Sequence, residues 1–341
     1  MKPGPQNSIT DIDGLLVGNA TDQKLKSGTT VLLCEDAMTA SVAVHGGGPG
    51  TRDTELLSPE NTVAGVDALV LSGGSAFGLD AASGVQAWLR ENNRGFSVGP
   101  VNVPIVPGAI LFDLINGGDK DWGRFPPYRD LGYQAASNAK KAFDTGSVGA
   151  GTGALVASLK GGLGTASIIL DNGIKVAALF SVNALGSPLI ANTGNFQAAT
   201  HECGNEFGGK GYPSPIPGHA DALNIKFRQS VQPNTNTTIG IVATDAKLSK
   251  AEAKRLAIAA HDGIARAIWP AHTPMDGDLI FSVATGRSEI KPDTSGWLDL
   301  SAHAISVSAR AVARGVFDAS PQENDMFPSY SEKFASTCFW L

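Results

Sequence analysis

Two apolar runs, Gly164 to Leu170 and Ile174 to Val182, face each other across Asp171-Asn172-Gly173, and this arrangement narrows the possible folds more than any other stretch of the chain. Asn-Gly is the strongest short hairpin-turn signal, because a two-residue turn of this kind needs positive φ at both central positions. The runs therefore predict an antiparallel pair. Upstream, Thr29 to Cys34 and Thr39 to His45 read as two strands joined by a short turn, an opening β-hairpin, followed by the glycine-rich loop from Gly46 to Asp53. Asp67 to Leu71 reads as a buried strand. Ser72-Gly73-Gly74-Ser75 then leads into a helix whose apolar face is Leu79, Ala82, Val85 and Leu89, with Asn92-Asn93-Arg94-Gly95 as its stop.

Pro104 to Asp113 is a further apolar run, Asn116 to Arg129 an exposed loop, and a helix is expected from about Ala135 to Phe143. The stretch from Asn192 to Pro233 has little periodicity and reads as a surface excursion. Beyond it come a strand from Thr238 to Thr244, a capping box at Ser249-Lys250-Ala251-Glu252, and a helical face of Leu256, Ala260, Ile264 and Ile268. A strand from Leu279 to Val283 and a long helix from Leu298 to about Phe317 complete the list. No repeat of fixed period and no linker between two cores is visible, so residues 1–341 read as one domain of sheets covered by helices, of the α/β or α+β class.

The bulk numbers exclude several functions. A formal charge of -6 argues against binding nucleic acid, which needs clustered excess Lys and Arg. Cys34, Cys203 and Cys338 are odd in number and never paired as CxxC, so neither a disulfide framework nor a cysteine zinc site is indicated, and a reducing compartment fits best. The N-terminus has no apolar signal region and no later run approaches the ~20 apolar residues of a membrane span, which predicts a cytoplasmic protein without a membrane partner. The 41 glycines signal tight turns and close backbone packing, some of it beside a site.

Four constellations can carry chemistry. At Asn236-Thr237-Thr238 a long polar stretch beginning at Gln229 runs straight into a strand; the plain readings are a loop boundary or a glycosylation sequon. If the Asn236-Thr237 bond is cut, Thr237 carries both a nucleophilic Oγ and an α-amine whose pKa of about 7.7–8 suits a general base. His272-Thr273-Pro274-Met275-Asp276-Gly277-Asp278 places two carboxylates around a glycine, as a solvated turn, a proton network for a nucleophile or, least favoured, a metal site. Gly149-Ala150-Gly151 with Asp171 downstream has a poor likeness to a dinucleotide fingerprint; the alternative is a small-residue wall beside a site, with Lys160 an interior cation or a surface lysine. Asn183, at a strand end, is a satisfied turn residue or a side-chain donor for an oxyanion. His45, His201, His219, His261 and His303 show no paired spacing and read as structural or solvent-facing.

Taken together the chain resembles the S58 peptidase family, the aminopeptidase/D-esterase and β-peptidyl aminopeptidase group that also holds the nylon-oligomer endohydrolases. The ordered motifs are Thr10-Asp11-Ile12-Asp13-Gly14, Ser72-Gly73-Gly74-Ser75-Ala76-Phe77-Gly78-Leu79, Val103-Pro104-Ile105-Val106-Pro107, Gly149-Ala150-Gly151-Thr152-Gly153, Lys160-Gly161-Gly162, Asn236-Thr237-Thr238-Ile239 and His272 to Asp278. The resemblance implies a four-layer αββα sandwich, similar to N-terminal nucleophile hydrolases but differently connected, activated by self-cleavage at Asn236-Thr237 into chains 1–236 and 237–341. It implies Thr237 as nucleophile, Asn183 as oxyanion donor, Lys160 as a charge near the nucleophile, and Asp276 and Asp278 as the groups that orient it. Phe112, Gly149, Gly151 and Asp11 are the implied substrate-binding positions, Asp11 towards a neighbouring subunit. Phe112 stands where some members carry a tyrosine. The implied activity is hydrolysis of the amide, and also ester, bonds of small peptides or amino-acid amides, with endo-cleavage of ω-amino-acid oligomers as the alternative; a nucleotide or small-molecule binding protein built on Gly149 to Gly153 is the competing class. No cofactor and no metal is implied, and the expected assembly is a homo-oligomer, a tetramer or larger.

Overall fold

The structure is a computed structural model that describes residues 1–228 and 236–334; the polar run 229–235 ahead of Thr237, and Cys338, lie outside the described residues. The principal strands are β1 (Leu15–Asp22), β2 (Ser27–Val44), β3 (Val66–Ser72), β4 (Gly108–Ile110), β5 (Gly162–Ile169), β6 (Lys175–Asn183), β7 (Thr237–Thr244) and β8 (Leu279–Ala284). The principal helices are α1 (Ala81–Glu91), α2 (Tyr128–Ser137), α3 (Lys250–Ala267) and α4 (Thr294–Phe317). The Asn-Gly hairpin forms as expected: β5 and β6 pair antiparallel, and Gly173 turns the chain at φ 87°.

The first sheet runs β5-β6-β7-β8 and ends on the C-terminal half of β2; only β7 and β8 in it are parallel. The second sheet is built on the N-terminal half of β2, with β1 on one side and β3 then β4 on the other. The expected opening hairpin is therefore not a hairpin. Thr29 to Cys34 and Thr39 to Val44 belong to one continuous strand, whose register shifts between Leu33 and Met38, where Glu35, Asp36 and Ala37 are exposed. A polar interruption between two apolar runs marks a bulge as readily as a turn, and here the bulge passes the strand from one sheet to the other.

The period of two sorts the strand residues into layers. Leu32, Leu69, Leu71, Leu179, Ile239, Ile241 and Phe281 meet between the two sheets. Their alternates Phe180, Val242 and Ile280 pack outward against Leu256 and Ile264 of α3 and Val312 of α4. On the far side, Val31 and Val70 pack against Val85 and Leu89 of α1 and Leu131 and Ala135 of α2. Helix, sheet, sheet, helix: the result is a four-layer αββα sandwich, and burial on both faces is why the strands read as near-continuous apolar runs.

Two expectations shift. The helix expected from Ala135 to Phe143 runs from Tyr128 to Ser137, because α2 packs so close on α1 that glycine is needed at the crossing. A Cβ on Gly84 would sit 1.8 Å from Arg129 O, and one on Gly132 would sit 2.0 Å from Ala81 O. Gly84→Ala is expected to destabilise the fold by about 1–3 kcal/mol, read as a fall in Tm, because neither helix can give way without repacking α1 on α2. The excursion beginning at Asn192 is partly core: Phe196, Ala198 and Phe207 are buried under α4. Arg310 of α4, fully buried, pins it through Glu206 (Nε–Oε1 2.5 Å), Asn7 Oδ1 (2.7 Å) and Ser167 O (3.0 Å). Among the described residues no helix is long and apolar enough to cross a membrane.

Candidate active site

Strand order decides which side chains meet. Thr237 opens β7, and the antiparallel register with β6 sets Asn183 directly opposite it, so both side chains rise from the same face at the edge of the layer between the sheets. Because β8 runs parallel to β7, the loop leading into β8 arrives beside the start of β7. Asn236 forms a parallel bridge with Asp276, the Gly277 amide donates to Asn236 O (2.9 Å), and the Thr238 amide donates to Asp278 Oδ1 (2.7 Å). The Thr237 hydroxyl, almost wholly buried, donates to the carbonyl of Asn236 at 2.5 Å.

The glycine-rich loop after β2 wraps the same turn. His45 and Gly46 amides both reach Asp278 O at 3.0 Å, and the Gly48 amide reaches Asp276 O at 2.9 Å. There is no room for side chains: a Cβ on Gly46 would lie 2.2 Å from the Asp278 amide, and one on Gly277 would lie 2.8 Å from Thr237 Oγ1.

Both carboxylates are buried but satisfied. Asp276 accepts from the Thr273 amide (3.0 Å) and hydroxyl (2.6 Å) and from the Leu185 amide (3.3 Å). Burial, then the nearby Asp278 charge, pushes its pKa above the usual carboxylate range. Asp278 Oδ2 takes the amide (3.1 Å) and Nδ1 (2.9 Å) of His272. Burial opposes a charge on His272, yet the bond to Asp278 wins and its pKa is raised. Asn183 is held at three points: its Nδ2 donates to Phe112 O (2.8 Å), while its Oδ1 accepts from the Leu155 amide (2.9 Å) and from Lys226 Nζ (3.1 Å). A small cleft borders Asn183, lined by Phe112, Ile115, Leu155, Lys226 and Phe227.

Lys226 is the residue that sequence reasoning missed. Fully enclosed, its Nζ also donates to Leu155 O (3.0 Å) and Asn183 O (3.2 Å), and burial drives its pKa from 10.5 down to about 7. The signal was there only as a lysine between apolar Ile225 and Phe227 in an otherwise polar stretch.

Lys160, implied as a charge near the nucleophile, lies opposite Leu155, whose amide donates to Asn183 Oδ1. Its Nζ pairs with Asp325 Oδ2 at 2.6 Å, and Lys26 takes the other oxygen at 2.9 Å. Burial lowers the Lys160 pKa, and although burial alone would raise Asp325, the two lysines hold it low. Within the chain Asp11 lies apart from Asn183. It caps the short turn Ile9–Asp11 and accepts from Ser167 Oγ (2.6 Å), beside Ala177, roughly 20 Å down the strand from Asn183 at ~3.3 Å per residue. Gly149 and Gly151 are buried packing positions: a Cβ on Gly149 would meet Thr30 Oγ1 at 2.2 Å, and one on Gly151 the Leu163 amide at 2.2 Å. The amides of Gly149 and Ala150 donate to Thr21 and Thr30 hydroxyls, and those of Gly151 and Thr152 to Val148 O and Gly149 O, so this loop offers no open cradle for a phosphate. Of Phe112 the structure brings the backbone carbonyl to Asn183 and the side chain to the cleft.

A buried hydroxyl at a strand start, two carboxylates and a donor amide thus come together in a four-layer αββα frame. The chain belongs to Peptidase family S58, whose model it matches over residues 7–325. It is 41% identical to an uncharacterised aminopeptidase of Mycobacterium tuberculosis, over 96% of this chain and 98% of that one. It is 27% identical to a 6-aminohexanoate-oligomer endohydrolase of Agromyces sp., over 89% of this chain and 80% of that one. In fold it is similar to a Burkholderia sp. β-aminopeptidase (TM-score 0.69, 19% identity, covering 100% of this chain and 96% of that one). It is likewise similar to an L-aminopeptidase D-Ala-esterase/amidase from Ochrobactrum anthropi, described as a variant of the Ntn hydrolase fold (TM-score 0.69, 20% identity, covering 96% of this chain and 90% of that one).

Proposed function

We propose that this aminopeptidase-like hydrolase is made active by its own cleavage between Asn236 and Thr237, into chains 1–236 and 237–341, and then uses Thr237 as an N-terminal nucleophile. The observation that carries this reading is the Thr237 hydroxyl hydrogen-bonded at 2.5 Å to the oxygen of the carbonyl it would attack, with the Gly277 amide at 2.9 Å on the same oxygen. Thr237 Oγ adds to the Asn236 carbonyl carbon, and Gly277 N–H steadies the oxyanion. The C–N bond then breaks, the Thr237 nitrogen takes up a proton, and an ester remains. Water hydrolyses that ester, leaving a carboxylate on Asn236 and a free α-amine on Thr237.

In the mature enzyme the α-amine takes the proton of Thr237 Oγ as the hydroxyl attacks a substrate amide, and returns it to the leaving amine. Asn183 donates one hydrogen to Phe112 O and can turn the other towards the substrate oxyanion; Asp276 and Asp278 balance the charge that appears on the amine. Water then releases the acyl group. Intact-mass measurement tests this directly, since fragments ending at Asn236 and beginning at Thr237 are expected from active protein, and a single uncut active chain would overturn it. Gly277→Ala is expected to leave at least a tenfold larger fraction uncut, because its Cβ would crowd Thr237 Oγ1; gel densitometry reads this.

A second reading, endo-cleavage of ω-amino-acid oligomers, is supported by the endohydrolase relatives. A panel of amino-acid amides, β-peptides and 6-aminohexanoate oligomers separates the two: exo-cleavage requires a free amine next to the scissile bond, and endo-cleavage does not. A cytoplasmic homo-oligomer, tetramer or larger, completes the proposal. It is supported by the two-stranded hairpin at 96–103, which exposes Phe96, Val98, Val101 and Val103. Light scattering on the mature protein should return a multiple of the protomer mass; a monomer would remove this part.

A further inference from the structure

Three histidines from three separate elements converge behind Asp278. His45 follows β2, His261 lies within α3, and His272 sits in the loop ahead of β8. The rings of His45 and His261 stack at 3.8 Å between centroids, and His272 stands edge-on to both, at 5.4 and 4.8 Å. One ring nitrogen from each lies within 4.8 Å of the other two.

Their outer contacts orient the lone pairs. His261 Nε2 is 3.0 Å from Ala43 O, and a carbonyl only accepts, so Nε2 carries the proton and Nδ1 keeps its lone pair. That Nδ1 is buried without a hydrogen-bond partner, on a side chain only 1% exposed. His272 Nδ1 donates to Asp278 Oδ2 at 2.9 Å, and its Nε2, 3.3 Å from His261 O, donates to that carbonyl, so this ring frees its Nε2 lone pair for an ion only by giving up that proton. A carbonyl on one imidazole and a carboxylate on another are the supports that metal-binding histidines generally have.

We propose that His45, His261 and His272 form a binding site for a divalent transition-metal ion, Zn²⁺ foremost. Three imidazoles, His272 having released its Nε2 proton, suit that class of ion, and hard oxygen-seeking cations such as Mg²⁺ and Ca²⁺ do not match the donor set. Zn–N bonds of about 2.0–2.1 Å draw the nitrogens closer than they stand, and the exposed His45 ring is the one able to swing in, leaving a fourth position for water. Binding releases the proton that His272 Nε2 donates to His261 O. The ion is structural, not catalytic: it ties the end of β2, α3 and the Asp276–Asp278 turn together, and through His272 and Asp278 it steadies the amide of Thr238.

The test uses tag-free full-length protein, stripped with a chelator and titrated with Co²⁺ under visible spectroscopy and with Zn²⁺ by calorimetry. One equivalent should bind, Co²⁺ should show the intense d–d bands of a four- or five-coordinate nitrogen site, and Zn²⁺ should raise Tm. His45→Ala, which keeps the backbone contacts of the glycine loop, should weaken Zn²⁺ at least about tenfold and lose the Tm rise. Absence of one-equivalent binding overturns the proposal, as does unchanged affinity in His45→Ala. These readouts need no activity, so they stand or fall apart from the self-cleavage mechanism.

Discussion

Thr237→Ala is expected to accumulate as a single 35.1-kDa chain with activity lower by on the order of 10³-fold or more. The substitution removes the only atom that can carry the acyl group from Asn236, and with it both the cut and the later nucleophile. Little else should change. Thr237 makes its strand pairing through the backbone, with Asn183 opposite, and the lost hydroxyl bond is to its own neighbour, so the fold should melt within a few degrees of the parent. Thr237→Ser keeps the oxygen and should still be cut. Intact mass gives the first result and hydrolysis of amino-acid amides the second; an alanine variant that is cut at the same bond would show that another group performs the cleavage.

Lys226→Met is expected to lower kcat by on the order of 10²-fold, with a smaller change in KM, while leaving the protein as stable or more so at pH 6. Lys226 is a positioning residue: its three bonds hold Leu155 O and the side chain and backbone of Asn183. Three acceptors call for three N–H donors, which only the ammonium form has. Burial brings its pKa from 10.5 to about 7, so deprotonation should loosen Asn183 and bend the kcat profile downward above about pH 7. Methionine should abolish that limb. The stability sign is opposite. Between about 7 and 10.5 the unfolded chain binds a proton that the folded chain has shed, so stability rises with pH across this window; below about 7 the full cost of the buried charge remains. A Lys226→Met protein should lack that rise in a urea-melt series, and an unchanged kcat profile would remove Lys226 from the mechanism.

Much of this was legible in the residues. The Asn-Gly hairpin, the Ser249 capping box and the helix after Gly74 are local signals, carried by neighbours a few positions apart, and the structure places them within a residue or two. Strands buried on both faces announced themselves as long apolar runs. The passage from Leu33 to Met38 did not, since a bulge and a turn share the same spelling, Glu35-Asp36, and differ in which strands wait on either side. The start of α2 was obscured because Gly132, a poor helix former in isolation, is there for the sake of Ala81 across the interface.

The site divides in the same way. Thr237 at the head of a strand, the Asp276-Gly277-Asp278 turn and Asn183 at a strand end can each be picked out along the chain, because each is a short spelling at an element boundary. That the strand start at Thr237 meets the Asp276–Asp278 turn depends on β8 lying parallel to β7; that Lys226 reaches Asn183 depends on how the excursion folds back; and that three unrelated histidines lie together depends on the end of β2 meeting α3. Periodicity and turn chemistry arise between adjacent residues, so the sequence alone determined the elements and their buried faces. Neighbours far apart in the chain are selected by which faces can be covered together, and that choice was made only by the packing of the four layers.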